Sequence, residues 1–177
     1  LLEREGVSAD GVTAANLVGV LPGRDPGRPA VLMMAHYDSV PGSPGAADDA
    51  TGVAAILEAV RAIRARGGAD RDLIILLTDA EELNLDGARA FFAGHPWRNR
   101  IGAVVNLEAR GGGGRAMMFE TGPGNAQTIA DYTRATGGAT GGPSSNALAV
   151  FVYRLMPNGT DFTIAANRGL AGINLAF

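Results

Sequence analysis

Apolar residues along the chain fall into two patterns, continuous runs and helically spaced positions. Runs of apolar or alternating residues predict six strands, at residues 15–21, 31–35, 73–77, 101–107, 116–119 and 170–177. Segments of helical character predict four helices, at residues 53–63, 86–93, 125–136 and 146–155. Because strands and helices alternate, we expect an α/β fold with three layers, in which helices cover both faces of a mixed, mostly parallel sheet.

The first predicted helix has boundary signals at both ends. Thr51 is the expected N-cap, and Gly67 with Gly68 is the expected stop. No internal repeat or long linker divides the chain, so we expect residues 1–177 to form a single domain. The chain opens on Leu1 rather than Met and closes on an apolar predicted strand. We therefore expect a piece of a longer protein that lacks the C-terminal part of its domain.

The amino-acid composition excludes several kinds of catalysis and argues against one class of partner. The 177 residues are 46% hydrophobic and 19% charged, which is typical of a globular domain. A net charge of −3 without a basic tract argues against a nucleic-acid partner. All 15 positively charged residues are Arg, which excludes Schiff-base chemistry on Lys, and the absence of Cys excludes thiol catalysis. No apolar run approaches the ~18 residues that span a bilayer, so membrane attachment would require segments outside this sequence.

Metal-capable side chains follow three of the predicted strands at the end where α/β sheets form their sites. They are His36 and Asp38 after residues 31–35, Glu81 and Glu82 after residues 73–77, and Glu108 after residues 101–107, with Asp48 and Asp49 before the first helix. Each of these residues alone also has a structural explanation. His36 could be a hydrogen-bonded histidine at a strand end, Asp48 and Asp49 could stabilise a helix N-terminus, and Glu81 and Glu82 could be a solvated pair in a loop. When several carboxylates gather at one rim with an imidazole, the carboxylates repel one another unless a cation is bound. Such a donor set suits Zn, and also Mn or Co.

A two-metal hydrolase site requires these residue types. A bridging carboxylate holds two ions so that both act on one water, and a neighbouring carboxylate takes the proton and returns it to a leaving amine. Adjacent Glu81 and Glu82 supply the base and a ligand if their side chains diverge. Asp38 is expected to orient His36.

The order and spacing of these residues carry a family resemblance over essentially the whole chain. The matching set is His36-x-Asp38, Gly45-Ala46-x-Asp48-Asp49-x-Thr51-Gly52, Glu81-Glu82 and Asn106-Leu107-Glu108. It resembles the zinc aminopeptidase family of clan MH, which includes leucyl aminopeptidases, glutamate carboxypeptidases and glutaminyl cyclases. The resemblance implies that His36 binds one zinc, Asp48 bridges both, Glu82 binds the second and Glu81 is the general base. It also implies a cis peptide between Asp48 and Asp49.

The chain departs from the family pattern in two places. Most of the family has Asp at the position of Glu108, but the branch that resembles endoplasmic-reticulum metallopeptidases has Glu, and residues 118–125 and 157–163 resemble that branch too. The second His ligand of the family is absent, so one zinc position, formed by His36, Asp48 and Glu108, is complete and the other is not. His95, the other histidine, is expected in a surface loop rather than at the metal.

Two further acidic residues, Asp79 and Asp161, are expected to be structural turn or cap residues outside the site. The resemblance implies a co-catalytic zinc exopeptidase of the aminopeptidase type, which hydrolyses N-terminal residues of peptides through a metal-bridged hydroxide. The alternatives are an inactive receptor-like or scaffolding relative and a single-zinc glutaminyl cyclase. For the 177 residues alone we expect one tight metal at most and little activity. The resemblance also suggests an extracytoplasmic or membrane-tethered parent protein.

Overall fold

The computed structural model describes residues 2–9, 12–109, 114–139 and 141–176. Seven strands form one sheet, namely β1 Leu2–Ala9, β2 Val12–Leu21, β3 Ala30–His36, β4 Leu73–Thr78, β5 Ile101–Glu108, β6 Met117–Thr121 and β7 Ala171–Ala176. Five α-helices accompany it, namely α1 Thr51–Ala65, α2 Asp86–Gly94, α3 Ala126–Gly137, α4 Ala147–Leu155 and α5 Asp161–Ala166. None of these helices has the length and apolar character needed to span a bilayer.

The sheet is mixed, with the strand order β1-β2-β4-β3-β5-β7-β6. The central strands β4, β3, β5 and β7 are parallel to one another. Antiparallel pairs lie at both margins, where β1 and β2 extend one edge and β6 pairs with β7 at the other. This arrangement confirms the predicted α/β class and places the carboxyl ends of β4, β3 and β5 side by side.

Helices cover both faces of the sheet, and the alternation of side chains along β3 shows why. Leu32 and Met34 belong to a buried cluster with α2 and α5 on one face. Met33 and Ala35 pack on the opposite face, against Ile56 of α1. Each strand of this parallel core is therefore apolar on both sides, which explains the continuous apolar runs in the sequence.

Two elements were not predicted, and one cap was predicted wrongly. β1 and α5 fall in segments without a strong apolar pattern. Thr51 is not the N-cap, because Ala50 before it already has helical torsions and the helical turn Ala46–Ala50 runs directly into α1. The Thr51 hydroxyl instead donates to the Ala46 carbonyl. The predicted stop is confirmed, since α1 ends before Gly67 and Gly68, which have φ values of 93° and 87°. Residue 177, predicted in the last strand, lies outside the described residues.

His95 does not lie in a surface loop as predicted. It is 6% exposed, and its ring stacks on Phe91 with ring centroids 4.8 Å apart. Its Nδ1 accepts a hydrogen bond from the Trp97 amide, and its Nε2 pairs with Glu3 of β1. The flanking glycine and proline give this segment the local pattern of a loop, but the imidazole caps a short 3₁₀ turn and joins the edge strand to α2.

Candidate metal centre

Three predicted ligands meet at the carboxyl ends of two neighbouring strands. His36 is the last residue of β3, Glu108 is the last residue of β5, and Asp48 lies in the turn before α1. The His36 Nε2 atom is 2.9 Å from Asp48 Oδ1 and 3.5 Å from Glu108 Oε1. One ligand atom from each of the three residues lies within 4.8 Å of the others, close enough to share one metal ion. The Asp48–Asp49 peptide is cis, as the resemblance implies.

The ligand atoms are buried without hydrogen-bond partners. His36 Nε2, Asp48 Oδ1 and Glu108 Oε2 have none among the described residues, although His36 is only 2% and Glu108 only 8% exposed. His36 Nδ1 is 3.0 Å from the Asp38 carbonyl, so Nδ1 carries the proton and Nε2 presents a lone pair. In the neutral imidazole that binds a metal, the 2.9 Å approach of Nε2 to Asp48 Oδ1 joins two acceptors and is not a hydrogen bond. A cation satisfies both atoms, and one imidazole with two carboxylates suits zinc.

Excess negative charge surrounds these ligands. Burial raises the pKa of Asp49 to about 8, and the Glu108 charge adds to the shift. Burial likewise raises the pKa of Glu81 to about 8, again with a contribution from Glu108. The pKa of Glu82 is raised by burial and by the Asp48 charge. Carboxyls that resist ionisation in one place indicate a missing positive charge, and a divalent cation supplies it.

The negative charges of the neighbouring carboxylates also raise the pKa of His36. Burial lowers it, but the nearby carboxylates of Asp38, Glu108 and Glu81 outweigh burial and raise it to about 12. Without a metal, the imidazole is therefore the counterion of the carboxylates. A metal ion replaces that proton, since a ligating imidazole must be neutral.

The Glu81–Glu82 pair lies in a loop with unusual backbone geometry. Ala80, Asn84 and Leu85 have positive φ values of 58°, 95° and 61°, a region that non-glycine residues rarely adopt. Such conformations cost about 1–3 kcal/mol each and persist only where other contacts hold them. In this loop the contacts include two hydrogen bonds, which the main-chain amides of Glu81 and Glu82 donate to the Asp38 carboxylate.

Asp38 therefore has two contacts of different kinds. Its main-chain carbonyl is 3.0 Å from His36 Nδ1, whereas its carboxylate Oδ1 is 3.5 Å from that atom. The carboxylate accepts instead from Glu81 N–H at 3.1 Å and from Glu82 N–H at 3.2 Å. Burial raises the pKa of Asp38, but His36 and the two amides outweigh it and hold the pKa below its ordinary value. The bond to the loop was not predicted, and no sequence pattern shows it.

The two acidic residues left outside the site have different surroundings. Asp79 is structural, as expected, because its carboxylate accepts from the Ala15 amide and the Tyr37 hydroxyl. Asp161 begins α5 and is 1% exposed. Its Oδ2 accepts from the Thr78 hydroxyl, and its Oδ1 has no partner among the described residues. Burial raises its pKa to about 7 against the opposing effects of Thr78 and His36. Asp161 therefore lies within electrostatic reach of the site, which the sequence did not indicate.

Two cavities meet at the Glu81–Glu82 loop. The first, of about 600 Å³, borders Asp48 and Glu108 as well as both loop glutamates, and its remaining wall is mainly apolar. The apolar wall includes Met117, Phe119, Leu148, Val152 and Met156. The second, of about 460 Å³, shares both loop glutamates with the first, and its other side chains are mostly polar. Candidate ligands, candidate base and substrate-sized space are therefore contiguous.

The sequence of this chain is similar to those of known proteins. A family model described as peptidase family M28 matches residues 16–177. Endoplasmic reticulum metallopeptidase 1 of Homo sapiens is 39% identical over 166 residues, which cover 92% of this chain and 18% of that protein. A vacuolar membrane protease of Candida dubliniensis is 36% identical over 164 residues, which cover 92% of this chain and 17% of that protein. The chain thus spans less than a fifth of the length of these relatives.

Solved structures share the fold. The zinc aminopeptidase BSAP from Bacillus subtilis superposes with a TM-score of 0.72 at 22% identity, covering 94% of this chain and 40% of that one. A glutaminyl cyclase from an Acidobacteriales bacterium superposes with a TM-score of 0.68 at 15% identity, covering 100% of this chain and 64% of that one. At these identities the likeness extends to the fold alone.

Proposed function

Since this chain belongs to peptidase family M28, we propose that the protein that contains it is a zinc-dependent aminopeptidase. The observation that carries the proposal is the convergence of three unpartnered ligand atoms, from His36, Asp48 and Glu108, beside a cavity that Glu81 also borders. We further propose that residues 1–177 act as a single catalytic domain. The substrates are peptides, and the relatives' names favour an extracytoplasmic or membrane-tethered protein.

We assign one zinc to His36, Asp48 and Glu108. Asp48 and Glu82 are the proposed protein ligands of a second zinc, with Asp48 as the bridge. Zinc in these positions supplies Lewis-acid chemistry, because it lowers the pKa of water and polarises a carbonyl group. His95 takes no part, since it is paired with Glu3.

Glu81 is the proposed general base. Its carboxylate takes a proton from the attacking water and delivers that proton to the nitrogen of the leaving amine. Burial and neighbouring carboxylates raise its affinity for a proton, which is the property that this role requires. Asp38 holds the Glu81 and Glu82 amides and so keeps the base in position. The apolar wall of the first cavity favours an apolar side chain on the first residue of the substrate.

Zinc content and turnover of the full-length protein test this proposal. We expect bound zinc in the wild-type protein, release of N-terminal residues from peptides, and a loss of roughly 10²–10⁴-fold in kcat for Glu81→Gln with zinc retained. Glu58→Gln, on the exposed face of α1, is the matched control. Near-normal turnover of zinc-loaded Glu81→Gln would be incompatible with the base assignment, and a wild-type protein that binds no zinc would favour a scaffold.

The number of metal ions is tested separately. Calorimetric titration of the 177-residue chain with zinc is expected to show one tight site at most, because the described residues contain one group of three possible ligands. Two tight sites would contradict this assignment. The mass of the product distinguishes peptide hydrolysis from glutaminyl cyclisation.

A further inference from the structure

Glu81 and Glu82 line both cavities, so a substrate whose scissile bond lies beside Glu81 can extend into both. The residues on the two sides of the scissile bond then lie in different environments. The first cavity contains Asp48 and Glu108 and an apolar wall. These features suit the free ammonium group and an apolar side chain of the first substrate residue. The leaving residue therefore enters the second cavity.

The second cavity differs from the first in charge. Of the described residues that line the two cavities, Arg89 is the one basic side chain. Its polar neighbours in the second cavity include Asn84, Asn158, Thr163 and Asn167. Glu81 and Glu82 also line this cavity, but a guanidinium group beside neutral polar groups offers the paired donors with which proteins bind an anionic group.

Arg89 is held at the rim of this cavity. It is an exposed residue of α2, and its Nε donates to the Asn84 carbonyl at 2.9 Å. Asn84 belongs to the same loop as Glu81 and Glu82 and has a positive φ of 95°. The guanidinium group is thereby fixed to the loop that carries the proposed base. Among the described residues, no carboxylate lies within 4.0 Å of it, in contrast to Arg61 and Arg134, whose guanidinium groups pair with acidic neighbours on their own helices.

We infer that Arg89 binds a carboxylate on the leaving residue of the substrate and thereby sets the specificity of the second cavity. This inference rests on the proposed peptidase function. The carboxylate has two sources, the terminal carboxylate of a dipeptide or the side chain of an acidic residue after the scissile bond. Both present the two oxygens that a guanidinium group binds with paired hydrogen bonds. An arginine that was merely solvated would not distinguish such substrates from neutral ones.

Matched substrates test the inference in the full-length, zinc-loaded protein. Leucyl-leucine is compared with leucyl-leucinamide, and leucyl-glutamic acid α-amide with leucyl-glutamine amide. We expect wild-type kcat/KM to favour the anionic member of at least one pair by about 10-fold, through KM, which corresponds to one charge-assisted hydrogen bond at a partly exposed site. Arg89→Gln should abolish that ratio and Arg89→Lys should keep part of it. Arg64→Gln, which removes an exposed charge from α1 far from either lining, should leave the ratio intact.

The pair that shows the preference identifies the source of the carboxylate. No preference in either pair, or a preference that persists in Arg89→Gln, would overturn the inference while hydrolysis itself still supports the peptidase. If the wild-type protein with zinc cleaves none of the four compounds, the proposed function fails and the inference fails with it. Inhibition by leucine and by leucinamide gives a second measurement, and we expect Arg89→Gln to weaken inhibition by leucine more.

Discussion

Asp38→Asn keeps the main-chain carbonyl that faces His36 and alters the carboxylate that holds the loop, which also lies 3.5 Å from His36 Nδ1. The aspartate carboxylate accepts from Glu81 N–H at 3.1 Å and from Glu82 N–H at 3.2 Å. An asparagine has one oxygen for these two donors, and its amide nitrogen faces the second donor. The variant therefore loses one charge-assisted hydrogen bond, which contributes roughly 1.5–3 kcal/mol.

The expected consequences are measurable in stability and in function. The Asp38 side chain is 16% exposed, so water replaces the lost bond poorly, and we expect a loss of about 2 kcal/mol in the free energy of unfolding. For a chain of 177 residues this corresponds to a decrease of about 5 °C in Tm. Zinc affinity and kcat should each fall by roughly 10- to 100-fold, because the loop carries the proposed base and one ligand.

The pH dependence gives an independent check. The pKa of Asp38 in the folded protein lies below its ordinary value of 3.8. A carboxyl of this kind contributes stability above its unfolded pKa and loses that contribution as the pH falls through its folded pKa. The difference in stability between wild type and Asp38→Asn should therefore be full at neutral pH and shrink below about pH 4.

Thermal unfolding and zinc calorimetry measure these effects, with Asp70→Asn as the control. Asp70 is 64% exposed in its ion pair with Arg24, so its replacement should leave the free energy of unfolding and the zinc affinity nearly unchanged. An Asp38→Asn variant with wild-type Tm and wild-type zinc affinity would refute the reasoning that this carboxylate holds the loop.

Three other outcomes follow from the described contacts. In α2, Gly87→Ala would place a Cβ atom in steric overlap with the Asp79 carbonyl oxygen and should lower the free energy of unfolding by about 3 kcal/mol. Gly94→Ala, with nothing within 4 Å, should change it by less than about 1 kcal/mol, and equal urea midpoints for the two variants would contradict this packing. Zinc at about 100 times its Kd should raise the free energy of unfolding by about 2.7 kcal/mol, and a chelator should reverse this stabilisation. If His36→Ala kept the same stabilisation by zinc, the result would argue against the zinc position assigned to His36, Asp48 and Glu108. Because burial raises the pKa of Asp161 to about 7, its contribution to stability is present at low pH and is lost as the pH rises through that value. The Tm of the metal-free protein should thus decline between about pH 4 and pH 7, less steeply in Asp161→Asn, and equal slopes would refute this account.

The parallel core and the order of the ligands could be predicted from the sequence because both depend on local patterns. β3, β4 and β5 are continuous apolar runs, and metal-capable residues follow each of them directly. β1 has no such run, since its strand character comes from antiparallel pairing with β2. α5 is six residues long, too short for a helical period to be recognised.

Contacts between distant segments account for the remainder. The Asp38 carboxylate accepts hydrogen bonds from two loop residues that lie 43 and 44 positions further along the chain. Only the placement of β3 beside β4 brings them together. The residues around His95 have the pattern of a surface loop, and this pattern does not show the pairing of His95 with Glu3, 92 positions away. The second cavity likewise depends on the approach of the loop before α5 to the Glu81–Glu82 loop. No pattern within a short window contains this information.

Two of the proposed zinc ligands, His36 and Glu108, and the proposed base belong to different kinds of backbone. His36 and Glu108 end strands that have a neighbour on each side, so the ladders of the sheet hold them. Glu81 lies in a loop whose shape depends on a few side-chain contacts. Mutation and selection can therefore change the loop, and with it the reaction, while the zinc position formed by His36, Asp48 and Glu108 persists. A descendant that had lost peptidase activity in this way would still be a zinc protein.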